Sequence, residues 1–165
     1  MASKRMTPKA VSLPYYKQQT PFTCSLACLR MVLESIGRKF TEMELARIIG
    51  FKPDIGFSAV MMGRLCDIIG VEYGFYFNLS LDELNELVSD GFYPITLVKA
   101  GVLYSILESE YGHYLVIKDI TKRNVTINDP DQEYGGENKQ ISIEKFLDAW
   151  KYFHNFVFVV KGEKK

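Results

Sequence analysis

The sequence predicts an α+β fold in which a buried central helix near the amino terminus packs on an antiparallel sheet from the carboxyl-terminal half. Three observations predict it. Apolar residues recur at helical spacing through the first half, short β-branched and aromatic segments fill the second half, and the helices precede the strands. This order is typical of α+β proteins, whereas doubly wound proteins alternate helices and strands.

The first predicted helix spans residues 24–36, and Gly37 stands where a helix would end. One face of it carries apolar residues at 3-4-3 spacing: Leu26, Leu29, Leu33 and Ile36. Apolar residues also occupy the other sides, which predicts that this helix is central and buried.

Further helices are indicated by their start signals and by apolar periodicity. Capping boxes, in which a Ser or Thr and a Glu three residues later satisfy helix N–H groups, open two of them: Thr41 with Glu44, and Ser80 with Glu83. Periodicity predicts two more, over residues 58–69 and 142–150.

The predicted strands are short and rich in β-branched and aromatic residues. They comprise residues 71–77, 95–98, 102–107, 114–120, 125–128 and 156–160. No repeat, low-complexity tract or linker divides the chain, so we expect one domain over residues 11–165 after a flexible tail of residues 1–10.

Composition and charge restrict the classes of partner. Lys plus Arg and Asp plus Glu number 20 each, so the net charge gives no reason to expect nucleic acid as a partner. No apolar run approaches the roughly 18 residues of a membrane-spanning helix, and no secretory signal is recognisable. We therefore expect a cytoplasmic protein without membrane insertion.

Its three cysteines should be free thiols, and neither a metal site nor a cofactor is expected.

Cys24 lies where the first helix begins, and this position favours chemistry at its sulfur. The unpaired N–H groups of a helix's first turn stabilise negative charge, and the thiolate is the nucleophilic form of cysteine. Cys28 is expected one turn deeper and Cys66 on an apolar helix face, so neither has this placement. Because a lone cysteine is more often a small buried hydrophobic residue, Cys24 is a candidate nucleophile only if a base lies nearby.

His113 and Asp129 are the candidate base and its orienting partner. Period-2 alternation places His113 on one strand face with Leu115 and Ile117, and we expect that face to pack on the central helix. If an odd-length loop around residues 121–123 joins the two strands, Asp129 lies opposite Leu115 and diagonal to His113, about 7–8 Å away between backbones. A carboxylate there can hold the imidazole N–H, whereas an even loop would place Asp129 on the other face.

Donors to an oxyanion would come from the backbone N–H of Cys24 and from a side-chain amide shortly upstream, Gln18 or Gln19. Structural interpretations stand beside these roles. Either glutamine could be a solvated loop amide, and Asp129 followed by proline could simply open a turn. Asp131 is the alternative carboxylate if Asp129 points away, and a lone histidine on an apolar face is usually structural.

The residues around these candidates resemble peptidase family C39, the bacteriocin-processing, papain-like cysteine peptidases. The resemblance covers nearly the whole chain, through segment 13–37 with Gln18 six positions before Cys24, then Gly112-His113-Tyr114, Asn128-Asp129-Pro130 and residues 142–150. It implies a papain-like cysteine proteinase fold, with Cys24 as nucleophile, His113 as base, Asp129 as its orienting residue and Gln18 as oxyanion donor. Ser25-Leu26 departs from the Gly-Pro that usually follows the cysteine in the family, and His154 has no role in it.

Many members of that family form the amino-terminal domain of an ABC exporter and cleave leader peptides after a double glycine. This chain carries no membrane region and no GxxxxGK[ST] loop, so the resemblance implies a stand-alone form acting on a peptide or protein substrate. A separately encoded ABC exporter is an open alternative as a partner. Three functions stay open: a thiol peptidase, a peptide-binding adaptor without catalysis, and an acyl transferase resembling a transglutaminase.

Overall fold

Helices cover both faces of a six-stranded antiparallel sheet in the computed structural model, which describes residues 12–50, 58–106 and 112–165. The helices are α1 (Cys24–Ser35), α2 (Glu42–Ile49), α3 (Ala59–Ile69), α4 (Leu81–Ser89), α5 (Ala100–Leu103) and α6 (Ile143–Trp150). The strands are β1 (Val71–Tyr76), β2 (Ile95–Lys99), β3 (Gly112–Ile120), β4 (Asn124–Asp129), β5 (Gly136–Ser142) and β6 (Val157–Glu163). Their order in the sheet is β1-β6-β2-β3-β4-β5. The predicted tail of residues 1–10 lies outside the described residues.

The predicted capping boxes begin α2 and α4. The hydroxyl oxygens of Thr41 and Ser80 each accept a hydrogen bond at 3.1 Å, from the backbone N–H groups of Glu44 and Glu83 respectively. The two glutamate carboxylates accept in return from the backbone N–H groups of the cap residues. These bonds satisfy N–H groups that have no partner within the helix. Gly50 then ends α2 in the left-handed conformation that glycine adopts without steric cost.

The central helix α1 is buried, as predicted. Its side chains Leu26, Leu29 and Leu33 are each 0% exposed. They pack with α2 and α3 and with Val116 of β3 and Phe158 of β6. Full burial of one such leucine contributes about 1.5–3 kcal/mol, so this contact holds α1 firmly against the sheet. Within the described ranges, no helix is both long and apolar enough to cross a membrane.

The other face of the sheet carries α4, α5 and α6. Fully buried Phe146 and Trp150 of α6 pack there with Leu115 and Ile117 of β3. The expectation that the Leu115 and Ile117 face contacts the central helix is therefore wrong. Because side chains alternate along β3, the opposite face, which carries Val116, packs on α1.

Two strand assignments also differ from prediction. Residues 100–103 form the helix α5, not a strand, and residue 107 of the predicted strand lies outside the described residues. Apolar residues there fit either structure, and packing of α5 on α6 decides for the helix. Strand β5 was not predicted because its sequence, GENKQIS, is polar and mostly exposed at the sheet edge. The α+β class itself is confirmed.

The β3–β4 hairpin is confirmed, with three residues between the two strands. Val116 pairs with Asn128, and continuing this register places Asp129 opposite Leu115. A one-residue β-bulge at Lys118 separates this register from the one nearer the turn. The pairing near the turn, Ile120 with Val125, is one residue out of register with the pairing of Val116 and Asn128, and the bulge makes up this difference. The bulge therefore helps to place Asp129 opposite Leu115.

Candidate active site

His113 and Asp129 are in direct contact at the end of the β3–β4 hairpin. The His113 Nε2 atom lies 2.6 Å from Asp129 Oδ1. The His113 side chain is 12% exposed and the Asp129 side chain is fully buried. Because the carboxylate holds Nε2, the other ring nitrogen, Nδ1, is left to face a second group.

The buried Asp129 carboxylate is well supplied with hydrogen-bond donors. Besides His113, the Tyr104 O–H donates to Oδ2, and the backbone N–H of Asp131 donates to Oδ1 at 2.8 Å. Gly135 packs closely on this side chain, since a Cβ at position 135 would clash with Asp129 Cβ. The donors satisfy a carboxylate that burial alone would make unfavourable.

The surroundings of His113 favour its charged form. Burial lowers the pKa of His113, but the charge of Asp129, the hydrogen bond to it and a hydrogen bond to the Cys24 side chain raise it, from 6.5 to about 10. The imidazolium is therefore stabilised at neutral pH. A protonated imidazole is the form that can pair with a thiolate.

Cys24 is the first residue of α1 and is partly exposed to solvent. Its side chain lies near enough to His113 to contribute to the raised pKa of that imidazole. The preceding Thr23 does not cap the helix through its side chain, because its hydroxyl oxygen accepts from the Thr20 N–H at 3.0 Å. The sulfur thus lies at the positive end of a helix dipole and beside a charged imidazole.

The other two cysteines lie in different surroundings, although all three are free thiols, as predicted. Cys28 and Cys66 are both 0% exposed. Burial raises the pKa of both thiols, well above 9 for Cys28 and to about 12 for Cys66. These two side chains stay protonated at neutral pH and pack as small hydrophobic residues.

Gln18 lies beside the end of β4. Its backbone N–H donates to the carbonyl oxygen of Pro130 at 2.9 Å. Three residues earlier, the Tyr15 O–H donates to the backbone oxygen of Asp129 at 2.7 Å. The segment before Cys24 is therefore tied to the same strand end that carries Asp129.

The two candidate glutamines are placed differently. The Gln18 side chain is partly buried, and its Nε2 donates to the Thr20 carbonyl at 2.9 Å. Its Oε1 atom is buried and has no partner within the described part of the chain. Gln19 is exposed, and its backbone N–H donates to the Glu42 carboxylate at 3.1 Å. Gln18 is thus the amide that the fold holds.

The side chains of the remaining candidates do not join this cluster. The Asp131 carboxylate accepts from the Glu133 backbone N–H at 3.1 Å and so closes the turn after β4. His154 is exposed, with a left-handed φ of 57°, just before β6.

Sequence reasoning missed Tyr104, because its segment has the composition of a strand. Among residues 12–50, 58–106 and 112–165, no group of His, Cys, Asp or Glu side chains is arranged to hold a metal ion.

A cavity of about 370 Å³ lies between α1 and α2 and reaches the segment before Cys24 through Gln19 and Thr20. Arg30 and Glu42 supply its charged lining. Burial raises the pKa of Glu42, although hydrogen bonds and the charge of Arg30 oppose that rise. The cavity therefore combines polar groups with the apolar lining of the helix pair.

Several solved structures share this fold. A Bacillus anthracis protein assigned as a C39-like peptidase superposes with a TM-score of 0.74 at 16% identity, over 93% of this chain and 96% of that one. The peptidase domain of Streptococcus ComA, a bifunctional ABC transporter involved in quorum sensing, gives 0.69 at 17% identity, over 92% and 99%. A double glycine motif protease from an AMS/PCAT transporter, in complex with the leader peptide, gives 0.66 at 20% identity, over 90% and 91%. At these identities the likeness is one of fold.

The sequence supports the same assignment at the level of the family. No curated protein matches the chain. The sequence pattern of the Peptidase_C39 like family, however, matches residues 11–157, which include all of the candidate site residues. With the shared fold, this match over most of its length shows that the chain belongs to the Peptidase_C39 like family.

Proposed function

We propose that the protein is a cysteine peptidase that hydrolyses peptide bonds through Cys24, His113 and Asp129, assisted by Gln18. One observation carries the proposal: buried Asp129 holds His113 through a side-chain hydrogen bond, and Cys24 at the start of α1 lies near enough to His113 to raise the pKa of the imidazole. A nucleophile, a base and an orienting group in this order are what thiol catalysis requires.

The proposed reaction begins with attack of the Cys24 sulfur on the carbonyl carbon of a peptide bond. The oxyanion accepts hydrogen bonds from the Cys24 backbone N–H and from the N–H of Gln18 that does not bind Thr20. His113 donates its proton to the leaving amine, and an acyl-thioester remains. Water then attacks with His113 as base, which releases the acid and restores the thiol.

The residues after the nucleophile are compatible with activity. Ser25 is 1% exposed and Leu26 is 0% exposed, and the Leu26 side chain extends from α1 into the hydrophobic core. The Ser-Leu pair in place of Gly-Pro therefore presents no bulky exposed side chain beside Cys24. This burial supports access of a substrate to the sulfur.

We propose a peptide or protein as the substrate. The fold is shared with a protease in complex with a leader peptide and with the peptidase domain of an ABC transporter. Cleavage of leader peptides, with a separately encoded ABC exporter as partner, is the specific form of the proposal. Cleavage after a double glycine can be tested with synthetic peptides that carry or lack this motif. Mass spectrometry of the products shows which peptides are cut.

Alkylation tests the nucleophile directly. Iodoacetamide at neutral pH should label Cys24 at least about tenfold faster than Cys66, because a thiolate reacts and a buried thiol does not. Peptide mapping by mass spectrometry measures both rates in one sample. Cys24→Ala should abolish hydrolysis, and Cys66→Ala is the matched control. Equal labelling of the two cysteines, or unchanged hydrolysis in Cys24→Ala, would contradict the proposal.

Two other functions make different predictions. A peptide-binding adaptor would bind peptide with an unreactive Cys24, and the proximity of Cys24 to a His113 held by Asp129 argues against it. An acyl transferase would form the same thioester but pass the acyl group to an amine. Product masses with and without an added amine separate the cases, since a hydrolase gives the acid in both.

A further inference from the structure

We infer that Tyr104 is a positioning residue of this site, acting through Asp129 to hold His113 in place; the inference rests on the proposed function. The two oxygens of the Asp129 carboxylate are divided between two side chains. His113 Nε2 contacts Oδ1, and the Tyr104 O–H donates to Oδ2. The tyrosine therefore sets which oxygen faces the imidazole.

The fold fixes both the backbone and the ring of Tyr104. Tyr104 directly follows α5, and its backbone N–H donates to the Ala100 carbonyl at 2.9 Å. The preceding Leu103 is buried in the cluster that also contains Trp150 of α6. The ring of Tyr134 stacks on the Tyr104 ring, with 6.0 Å between centroids. A side chain with an anchored backbone, a stacked ring and a bonded hydroxyl is suited to orient a neighbour.

Oxygen Oδ2 of Asp129 has little room for a substitute donor. A Cβ at Gly135 would lie 2.6 Å from Oδ2, so the loop backbone covers that side. Asp129 is also fully buried. Without the tyrosine hydroxyl, this oxygen would be left with an unsatisfied charge in a site shielded from solvent.

The tyrosine acts as a constant donor. Burial, the charge of Asp129 and the hydrogen bond to it raise the pKa of Tyr104 far above 10. The hydroxyl therefore keeps its proton at every pH at which the protein would work. It stabilises the ionised carboxylate and leaves proton transfer to His113.

The pH dependence of Cys24 alkylation tests this role. In Tyr104→Phe, Oδ2 of Asp129 loses its side-chain donor, so the carboxylate is held less firmly and supports the charged form of His113 less well. We expect alkylation at pH 6 to slow by about tenfold and its acid limb to move up by about one pH unit. Tyr15→Phe is the matched control, because its hydroxyl binds the backbone oxygen of Asp129 and not the carboxylate. The acid limb of the alkylation profile of Tyr15→Phe should coincide with that of the wild type.

A double-mutant cycle shows whether Tyr104 acts through Asp129. In an Asp129→Asn background, Tyr104→Phe should have no further effect on the alkylation profile. The inference is overturned if the Tyr104→Phe profile superimposes on the wild type, or if its effect is undiminished in the Asp129→Asn background. Alkylation does not require hydrolysis, so a shifted profile in a protein that cleaves no peptide would support the inference and contradict the peptidase.

Discussion

At the scale of single residues, the site depends on a carboxyl group that is buried inside the protein and surrounded by hydrogen-bond donors. Asp129 is fully buried, and its cost of burial is offset by the N–H and O–H groups that point at it and by the charge of His113. Cys24 and His113 could be selected from sequence because their residue types suit thiol chemistry and their positions begin a helix and a strand. Tyr104 offered no such signal, because its role depends on a contact made only in the folded protein.

The raised pKa of His113 makes stability depend on pH. Because the folded-state value of about 10 exceeds the ordinary 6.5, its contribution is complete below about pH 6.5 and is lost as pH rises towards 10. Relative to His113→Gln, the wild type should lose roughly 2–4 kcal/mol of unfolding free energy over that interval. Urea denaturation from pH 6 to 10 measures it. His154→Asn is the control, because His154 is exposed and asparagine suits its left-handed φ; its stability should follow that of the wild type. If the stability of His113→Gln changes with pH as that of the wild type does, the prediction is contradicted.

At the scale of the elements, two β-bulges frame the candidate site. One lies at Lys118 in β3, and the other lies in β5, where two residues, 137 and 138, stand opposite Asn128 of β4. Bulges of this kind redirect side chains at the ends of strands. The sequence predicted the hairpin and the position of Asp129 opposite Leu115. It could not reveal the bulges, because nothing in the alternation of residues 113–120 marks an extra residue.

The boundaries between helix and strand were hardest to predict where segments are short. Capping boxes fixed α2 and α4 because a local hydrogen-bond pattern has a local sequence signature. The four residues of α5 have no such signature, and their structure follows from packing on α6. Polar β5 likewise forms because β4 offers a free edge, which a single segment of sequence does not report.

The β5 bulge makes a prediction about Asn138. This residue has a left-handed φ of 54°, and its backbone N–H donates to Asn128 Oδ1 at 3.0 Å. Asn138→Ala should destabilise the protein by about 1 kcal/mol relative to Asn138→Gly, since alanine is strained at positive φ and glycine is not. Both variants lose the side-chain contact with Lys118, so their difference isolates the backbone. Equal midpoints in urea denaturation would show that the bulge does not require this conformation.

At the scale of the whole molecule, the site lies where the two helical layers meet the end of the sheet. Cys24 comes from α1 on one face, whereas Tyr104 follows α5, which packs on the other face. The strand ends that carry His113 and Asp129 lie between them. Formation of the site therefore requires both layers to be in place, and local unfolding of either layer would separate its residues.

Asn128 joins three distant parts of the chain, which gives a prediction at this scale. Its buried Nδ2 donates to the Pro14 carbonyl, and its Oδ1 accepts from the Asn138 N–H. Asn128→Ala leaves both of these groups without their partner and should cost roughly 2–3 kcal/mol of unfolding free energy.

Asn128→Ala also tests whether this asparagine aligns the site. Because the segment of Pro14 also carries Gln18, Asn128→Ala should lower peptide hydrolysis at a temperature at which the variant is still folded. Urea denaturation and hydrolysis rates, measured on the same samples, give both quantities. If hydrolysis is unchanged in folded Asn128→Ala, the link between this asparagine and the segment before Cys24 is structural only, and the position of Gln18 is fixed by its own bond to Pro130.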